Sequence, residues 1–324
     1  MNGIIIHNHE ISPYWLARLR ETRDAGVPLD VLALHPVGGK NATDSLSGLI
    51  EQVKTPAFRD FYEQVHQMGM TLEYEMHTLS WLMPRAEFAS HPHWFRQNEA
   101  GERTPDANMC ASCEEALSYL EERTALLAGL LPQQGDRYFY WVDDVANASC
   151  HCPRCREMTK SDQAMTIINR MLRGLRRVNP RATLCYLAYI DIITPPTHVR
   201  PDSGIFLEYA PIHRDLSRPI GDPSCEKNAD EAQHLRPLLD YFGTDGAQVL
   251  EYWMDNSLNC RWKLPYRKLP FYPDVIEADA AYYRSLGFAH LTCFGCFLGE
   301  DYAAEFGNPP VVEYSRCLQR KVCL

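Results

Sequence analysis

Eight short stretches of the chain are almost continuously apolar, β-branched or aromatic, at residues 3–7, 29–35, 71–77, 138–143, 183–189, 205–209, 248–253 and 289–294. Most are separated by stretches in which apolar residues recur every three or four positions, at 13–25, 46–68, 114–131, 163–178, 231–242 and 275–286. The first pattern predicts strands buried on both faces, the second amphipathic helices. Strands that alternate with helices pair in parallel, and eight is the number that closes into a (β/α)8 TIM barrel. The fifth-to-sixth connection is short and Pro-rich (Thr194-Pro195-Pro196), so its helix is expected to be missing or degenerate. An open doubly wound sheet is the competing α/β arrangement, but no Gly-rich phosphate loop follows the first strand, and no organic cofactor is expected. With no repeat, low-complexity segment or linker, residues 1–324 are expected to form one barrel domain with a Cys-rich loop at 108–156.

Composition narrows the partners. At 45% hydrophobic and 11% aromatic the chain can bury a sizeable core. The formal net charge of −10 argues against nucleic acid, whose phosphates draw clustered Lys and Arg. The one basic cluster, Arg173 to Arg181, falls at the end of a helical pattern and reads as a solvated helix end. No apolar run reaches the roughly 18 to 20 residues of a membrane span, and the first residues, MNGIIIHNHE, carry no signal peptide. A cytoplasmic location is therefore expected, with the twelve cysteines reduced. Nothing in the sequence points to a particular oligomeric state.

Active sites of such barrels gather where the strands end. Here those ends read His7-Asn8-His9-Glu10, His35, Glu73-Tyr74-Glu75-Met76-His77, Trp141-Val142-Asp143-Asp144, Tyr189-Ile190-Asp191, Glu208-Tyr209 and Glu251-Tyr252-Trp253-Met254-Asp255. Acids that accept from hydroxyls, beside rings such as Trp81 that stack on apolar sugar faces, are what carbohydrate binding needs. His9, His35, Glu75 and His77 join that set of candidate substrate-binding residues. On the third strand the two-residue period sends Glu73, Glu75 and His77 to one side, where ion pairing inside the barrel is the competing role for the acids.

Two motifs carry sharper chemistry. Asp143 and Asp144 cannot face one way on a strand, but in the turn beyond it both can reach one pocket. Such a pair can divide glycosidic cleavage, one carboxyl as general acid and one orienting or stabilising developing charge. The competing role is capping of the following turn. The second motif is Cys150-His151-Cys152-Pro153-Arg154-Cys155, with Cys110-Ala111-Ser112-Cys113 one loop earlier. Cys150, Cys152, Cys155 and either Cys110 or Cys113 could complete the tetrahedral thiolate set of a structural zinc, which would pin the loop presenting the acid pair. The alternative is unmetallated thiols packed under a loop.

The ordered series His77-Thr78-Leu79-Ser80-Trp81-Leu82-Met83-Pro84, His91-Pro92-His93-Trp94-Phe95, Asn108-Met109-Cys110, the acid pair with its Cys-rich segment, Asn179-Pro180, Tyr186-Leu187-Ala188-Tyr189, Ala210-Pro211-Ile212-His213-Arg214 and Cys225-Glu226-Lys227-Asn228 resembles domain of unknown function family 4838. The resemblance runs from about Met68 to Gly295. It implies a glycoside hydrolase barrel, related to family 163 endo-β-N-acetylglucosaminidases acting on N-glycans. By that resemblance the enzyme would be retaining, with the substrate's own 2-acetamido group as nucleophile. Asp144, or else Asp143, would be the acid/base, and its neighbour would hold the acetamido nitrogen; the pair is also similar to the dyad of family 84 hexosaminidases. His77, Tyr189, Glu208, Tyr252 and Asp255 would line the sugar site.

Two other classes compete. His7-Asn8-His9 is the H-x-H that opens a metal-dependent amidohydrolase site, although only His213 could supply a later histidine ligand. A non-catalytic sugar-binding barrel would keep Trp81, Trp141, Tyr252 and Trp253 and survive loss of the acids. Metal analysis separates the first from a glycosidase, and the acid pair separates the second.

Overall fold

A computed structural model describes residues 1–320. Eight parallel strands, β1 (Gly3–His7), β2 (Val31–His35), β3 (Thr71–His77), β4 (Arg137–Trp141), β5 (Thr183–Ala188), β6 (Ile205–Tyr209), β7 (Gln248–Glu251) and β8 (His290–Cys293), hydrogen-bond in sequence order. Bridges from Asn2 to Leu291 and from Ile5 to Phe294 return the last strand to the first. That is the topology of a (β/α)8 TIM barrel. Among the described residues no helix is long and apolar enough to cross a membrane.

Several boundaries differ from the sequence pattern for local reasons. The helical stretch expected at 46–68 is two helices, Ala42–Gln52 and Pro56–Gln67. Pro56 lacks an N–H and would clash with the preceding turn, so it starts a helix instead of continuing one. Residues 231–242 likewise divide between Glu226–Ala232 and Leu235–Phe242. Strands β4 and β7 stop two residues early, at Trp141 and Glu251, which leaves Asp143, Asp144, Tyr252 and Asp255 in loops. Two helices after β8, Glu300–Phe306 and Val311–Gln319, lie outside the pattern read from sequence.

The chain groups into two compact units. One holds residues 1–35, 56–73 and the chain from Glu208 onward. In it β1 pairs with β2 from Gly3↔Val31 to His7↔His35, so two histidines end neighbouring strands side by side. Ile4, Ile5, Ile6, Leu32 and Leu34 are wholly buried. Charge is buried here as well. Arg214 contacts Glu251 at 2.5 Å and Asp279 at 2.7 Å, all side chains fully enclosed. Tyr283 donates to Glu251 (2.5 Å) and the Trp253 indole to Asp279 (2.9 Å), so the network meets the demand that buried charge be paired.

The other unit holds residues 36–55 and 74–207. Helix Glu114–Leu130 lies against helix Lys160–Arg176. They meet at Gly174, where an added methyl would strike the Glu121 carbonyl oxygen and sit 2.9 Å from Thr124 Cβ. The connection from β5 to β6 has only the short turn Ile190–Ile192 and no α-helix, as the prolines predict. Asp162 holds it down. Its carboxylate accepts from the backbone N–H groups of Thr197 (2.9 Å), His198 (2.8 Å) and Val199 (2.9 Å), and from the Thr197 hydroxyl (2.9 Å). Burial opposes ionisation of Asp162, but these donors win and hold its carboxyl well below the usual range.

Candidate functional site

The acid pair sits in the loop that leaves β4. His77, the last residue of β3, pairs with Trp141 in the ladder, and its ring packs edge-on against the indole, centroids 4.9 Å apart. Nδ1–H of His77 donates to the Val142 carbonyl (2.6 Å), which fixes the ring and turns Nε2 the other way.

Asp143 and Asp144 then part company. Asp143 is buried, and both oxygens are engaged. Oδ1 accepts from Ser80 N (2.9 Å) and Ser80 Oγ (2.6 Å), while Oδ2 accepts from Asn108 N (2.6 Å) and from the Arg85 guanidinium. Four donors fill the four lone-pair sites of a carboxylate. Asp144 is half-buried. It and His77 both face Gly38: a Cβ built there would be 3.0 Å from His77 Cδ2 and 3.7 Å from Asp144 Oδ2.

Asn108 ties the loop together. It occupies a left-handed backbone conformation (φ 48°), one that asparagine tolerates better than most residues. Its side chain accepts from Asp143 N (3.0 Å) and donates to the Ala148 carbonyl (3.1 Å), and its own carbonyl accepts from Arg85 (2.9 Å). A cleft next to this loop is lined by His77, Asn108, Asp143, Lys160, Tyr189 and Asp191, among others. The cleft is partly open to solvent, with a volume of about 60 Å³. Lys160 and Asp191 face each other at 3.1 Å.

Of the expected residues, the cleft brings together Asp143, His77 and Tyr189, while Asp144 lies outside its lining. Trp81 is occupied elsewhere. The Arg123 guanidinium lies 4.3 Å above its ring and donates to its carbonyl (3.2 Å). Glu75 is fully buried in β3, and Trp141 is 2% exposed, which makes both core residues in this structure.

The first unit holds the other candidates. His7 Nδ1–H donates to the His35 carbonyl (3.1 Å); His9 stacks on His7 at 5.0 Å, and His35 meets Phe294 edge-on at 5.0 Å. Burial, helped by His9, lowers the His7 pKa to about 4, so this imidazole is neutral at pH 7. Tyr252 is buried beside Phe294, centroids 5.6 Å apart. Glu208 is enclosed and accepts from Gln248 Nε2 (3.1 Å). Asp255 caps helix Asn256–Asn259, accepting from Leu258 N (3.1 Å) and Ser257 Oγ (2.6 Å). Burial raises its pKa to about 6. Glu10, pushed up to about 7 by burial, accepts from the backbone N–H groups of His7, Phe297 and Leu298.

Four cysteine sulfurs also converge. Those of Cys110, Cys150, Cys152 and Cys155 lie within 4.8 Å of one another, all four residues buried. Among the described residues this is the only gathering of three or more Cys, His, Asp or Glu groups with that spacing, and the His7-Asn8-His9 motif forms none. Cys113, the alternative fourth ligand, instead begins helix Glu114–Leu130.

The residues that grip Asp143 (Ser80, Arg85 and Asn108) carried no chemical signal in the sequence, nor did Lys160. Asp191 and Glu10 stood in the strand-end runs without being singled out.

In fold the chain is similar to glycosidase barrels. It matches a β-N-acetylhexosaminidase from Bacteroides fragilis NCTC 9343 with TM-score 0.58 at 10% identity, over 98% of this chain and 65% of that one. It matches a β-galactosidase from the psychrophilic Marinomonas ef1 with TM-score 0.56 at 12% identity, over 98% of this chain and 59% of that one. A broad specificity endoglucanase from an uncultured bacterium gives TM-score 0.50 at 12% identity, over 94% and 85%. This chain thus spans less than two thirds of the length of the first two. No curated protein matches it in sequence. The model of the Domain of unknown function (DUF4838) family matches residues 50–237, more than half of the chain. The chain belongs to that family.

Proposed function

We propose that the protein is a glycoside hydrolase acting on β-linked N-acetylhexosamine-containing glycans, retaining and assisted by the substrate's 2-acetamido group. The observation that carries this reading is the asymmetry of the acid pair. Asp143 has its four acceptor sites filled by Ser80, Arg85 and Asn108, so it positions the loop and has no lone pair to give a substrate. Asp144 is half-buried in the same loop, near His77 and Gly38, and is the acid/base. In the first step the acetamido oxygen bonds to the anomeric carbon, the glycosidic bond breaks, and Asp144 gives its proton to the leaving oxygen. In the second, Asp144 takes a proton from the water that opens the cyclic intermediate. The likeness in fold to a hexosaminidase supports the choice of sugar, and the family resemblance supports the assisted mechanism.

A panel of nitrophenyl and natural glycosides tests it. Asp144→Asn should lower kcat/KM by about 100-fold or more on natural leaving groups and little on activated nitrophenyl glycosides, which need less protonation. Asp143→Asn should depress both kinds alike and lower Tm, because Arg85 loses its only charged partner among the described residues. Glucosides cut as fast as their N-acetyl counterparts would refute the acetamido mechanism. Activity untouched by Asp144→Asn on every substrate would remove the acid.

A further inference from the structure

We infer that Cys110, Cys150, Cys152 and Cys155 bind one zinc ion, which clamps together the two loops that hold Asp143 in place. The geometry carries the inference. A zinc–thiolate bond of about 2.3 Å in a tetrahedron sets neighbouring sulfurs about 3.8 Å apart. Cys110 Sγ lies 3.7 Å from Cys152 Sγ and 3.8 Å from Cys155 Sγ, and no pair in the set exceeds 4.8 Å. Disulfides would bring sulfurs to about 2.05 Å in two separate pairs. A multi-iron cluster would hold its thiolates further apart, around a core of several atoms. Four thiolates around one divalent ion leave two negative charges in a buried place, and the surroundings answer them: Gln97 N–H and the Arg103 guanidinium point at Cys150 Sγ (3.3 and 3.8 Å).

The ligands come from two loops about forty residues apart in sequence. Each is joined to the acid-pair loop two residues before its first cysteine, through Asn108 on one side and Ala148 on the other, and these two bond to each other at 3.1 Å. Asn108 also exchanges hydrogen bonds with Asp143 in both directions. The ion would therefore set the position of the Asp143 carboxylate without touching it, whatever reaction the acid pair performs.

Protein purified without chelators should contain about one zinc per chain by plasma mass spectrometry. Exchange for cobalt should give the charge-transfer and d–d absorption of a tetrahedral thiolate complex. Cys152→Ser should lose the metal, while Cys113→Ser, a buried cysteine outside the set, should keep it. Should Cys152→Ser fail to fold, zinc content and the cobalt spectrum of the wild type still decide the matter. Metal-free protein of full stability, disulfides among these four residues, iron in place of zinc, or an octahedral cobalt spectrum would each overturn the inference.

Discussion

At the scale of single residues, environment separates side chains that sequence makes look alike. Glu208, Glu251, Asp143 and Asp255 all stand at or just past strand ends, and all four are buried with protein partners. Asp255 shows the consequence. Its pKa rises from an ordinary 3.8 to about 6 because burial disfavours the carboxylate. Both states are protonated below about pH 4, so that is where its contribution to stability is complete; as pH rises towards and past 6 the unfolded chain ionises more readily and the contribution is lost. Asp255→Asn keeps an oxygen for the helix cap and has no charge to bury. It should stabilise the protein by about 1 to 2 kcal/mol at pH 8 and by nothing at pH 4, measured by urea unfolding at both values. A variant less stable than wild type at pH 8 would mean that the charged cap outweighs its burial. What sequence conveyed at this scale was residue type and strand-end position. Which acid is gripped depends on Ser80, Arg85 and Asn108, placed 63, 58 and 35 positions away from Asp143, and no local pattern announces such partners.

At the scale of elements, the strands were the legible part. Three of them, β1, β3 and β6, have the bounds that the apolar runs predict, because a parallel strand buried on both faces leaves a continuous apolar run. Errors gathered at strand ends and where helices break, once at Pro56, because loop geometry decides there and periodicity does not. Helix packing adds a case that sequence alone would misjudge. Gly174 lies inside helix Lys160–Arg176, where alanine is ordinarily better by roughly 1 kcal/mol. Here a methyl meets the Glu121 backbone of the facing helix, which cannot swing aside as a flexible side chain can. Gly174→Ala should therefore destabilise by about 1 to 3 kcal/mol in chemical denaturation. An unchanged or raised midpoint would show that the two helices part easily.

At the scale of the whole molecule, fold class, the strand ladder and the cysteine gathering were all readable from the chain, since each rests on a local motif or a repeated one. The expected aromatic platforms were not: Trp141, Tyr252 and Trp253 pack into the interior at 2–4% exposure, since large rings stabilise a barrel as readily as they stack on sugars. The fifth-to-sixth connection has a further consequence. Where other connections rely on a helix, the stretch from Thr197 to Val199 in this one is held by one carboxylate, which one proton can neutralise. The stability contributed by Asp162 is complete above its ordinary pKa near 4 and declines as pH falls below that, since its folded-state pKa is depressed. In hydrogen–deuterium exchange well below pH 4, the amides of Thr197, His198 and Val199 should lose protection while those of β5 and β6 on either side keep theirs. In Asp162→Asn they should exchange quickly even at neutral pH, making this segment the first to open when the molecule unfolds.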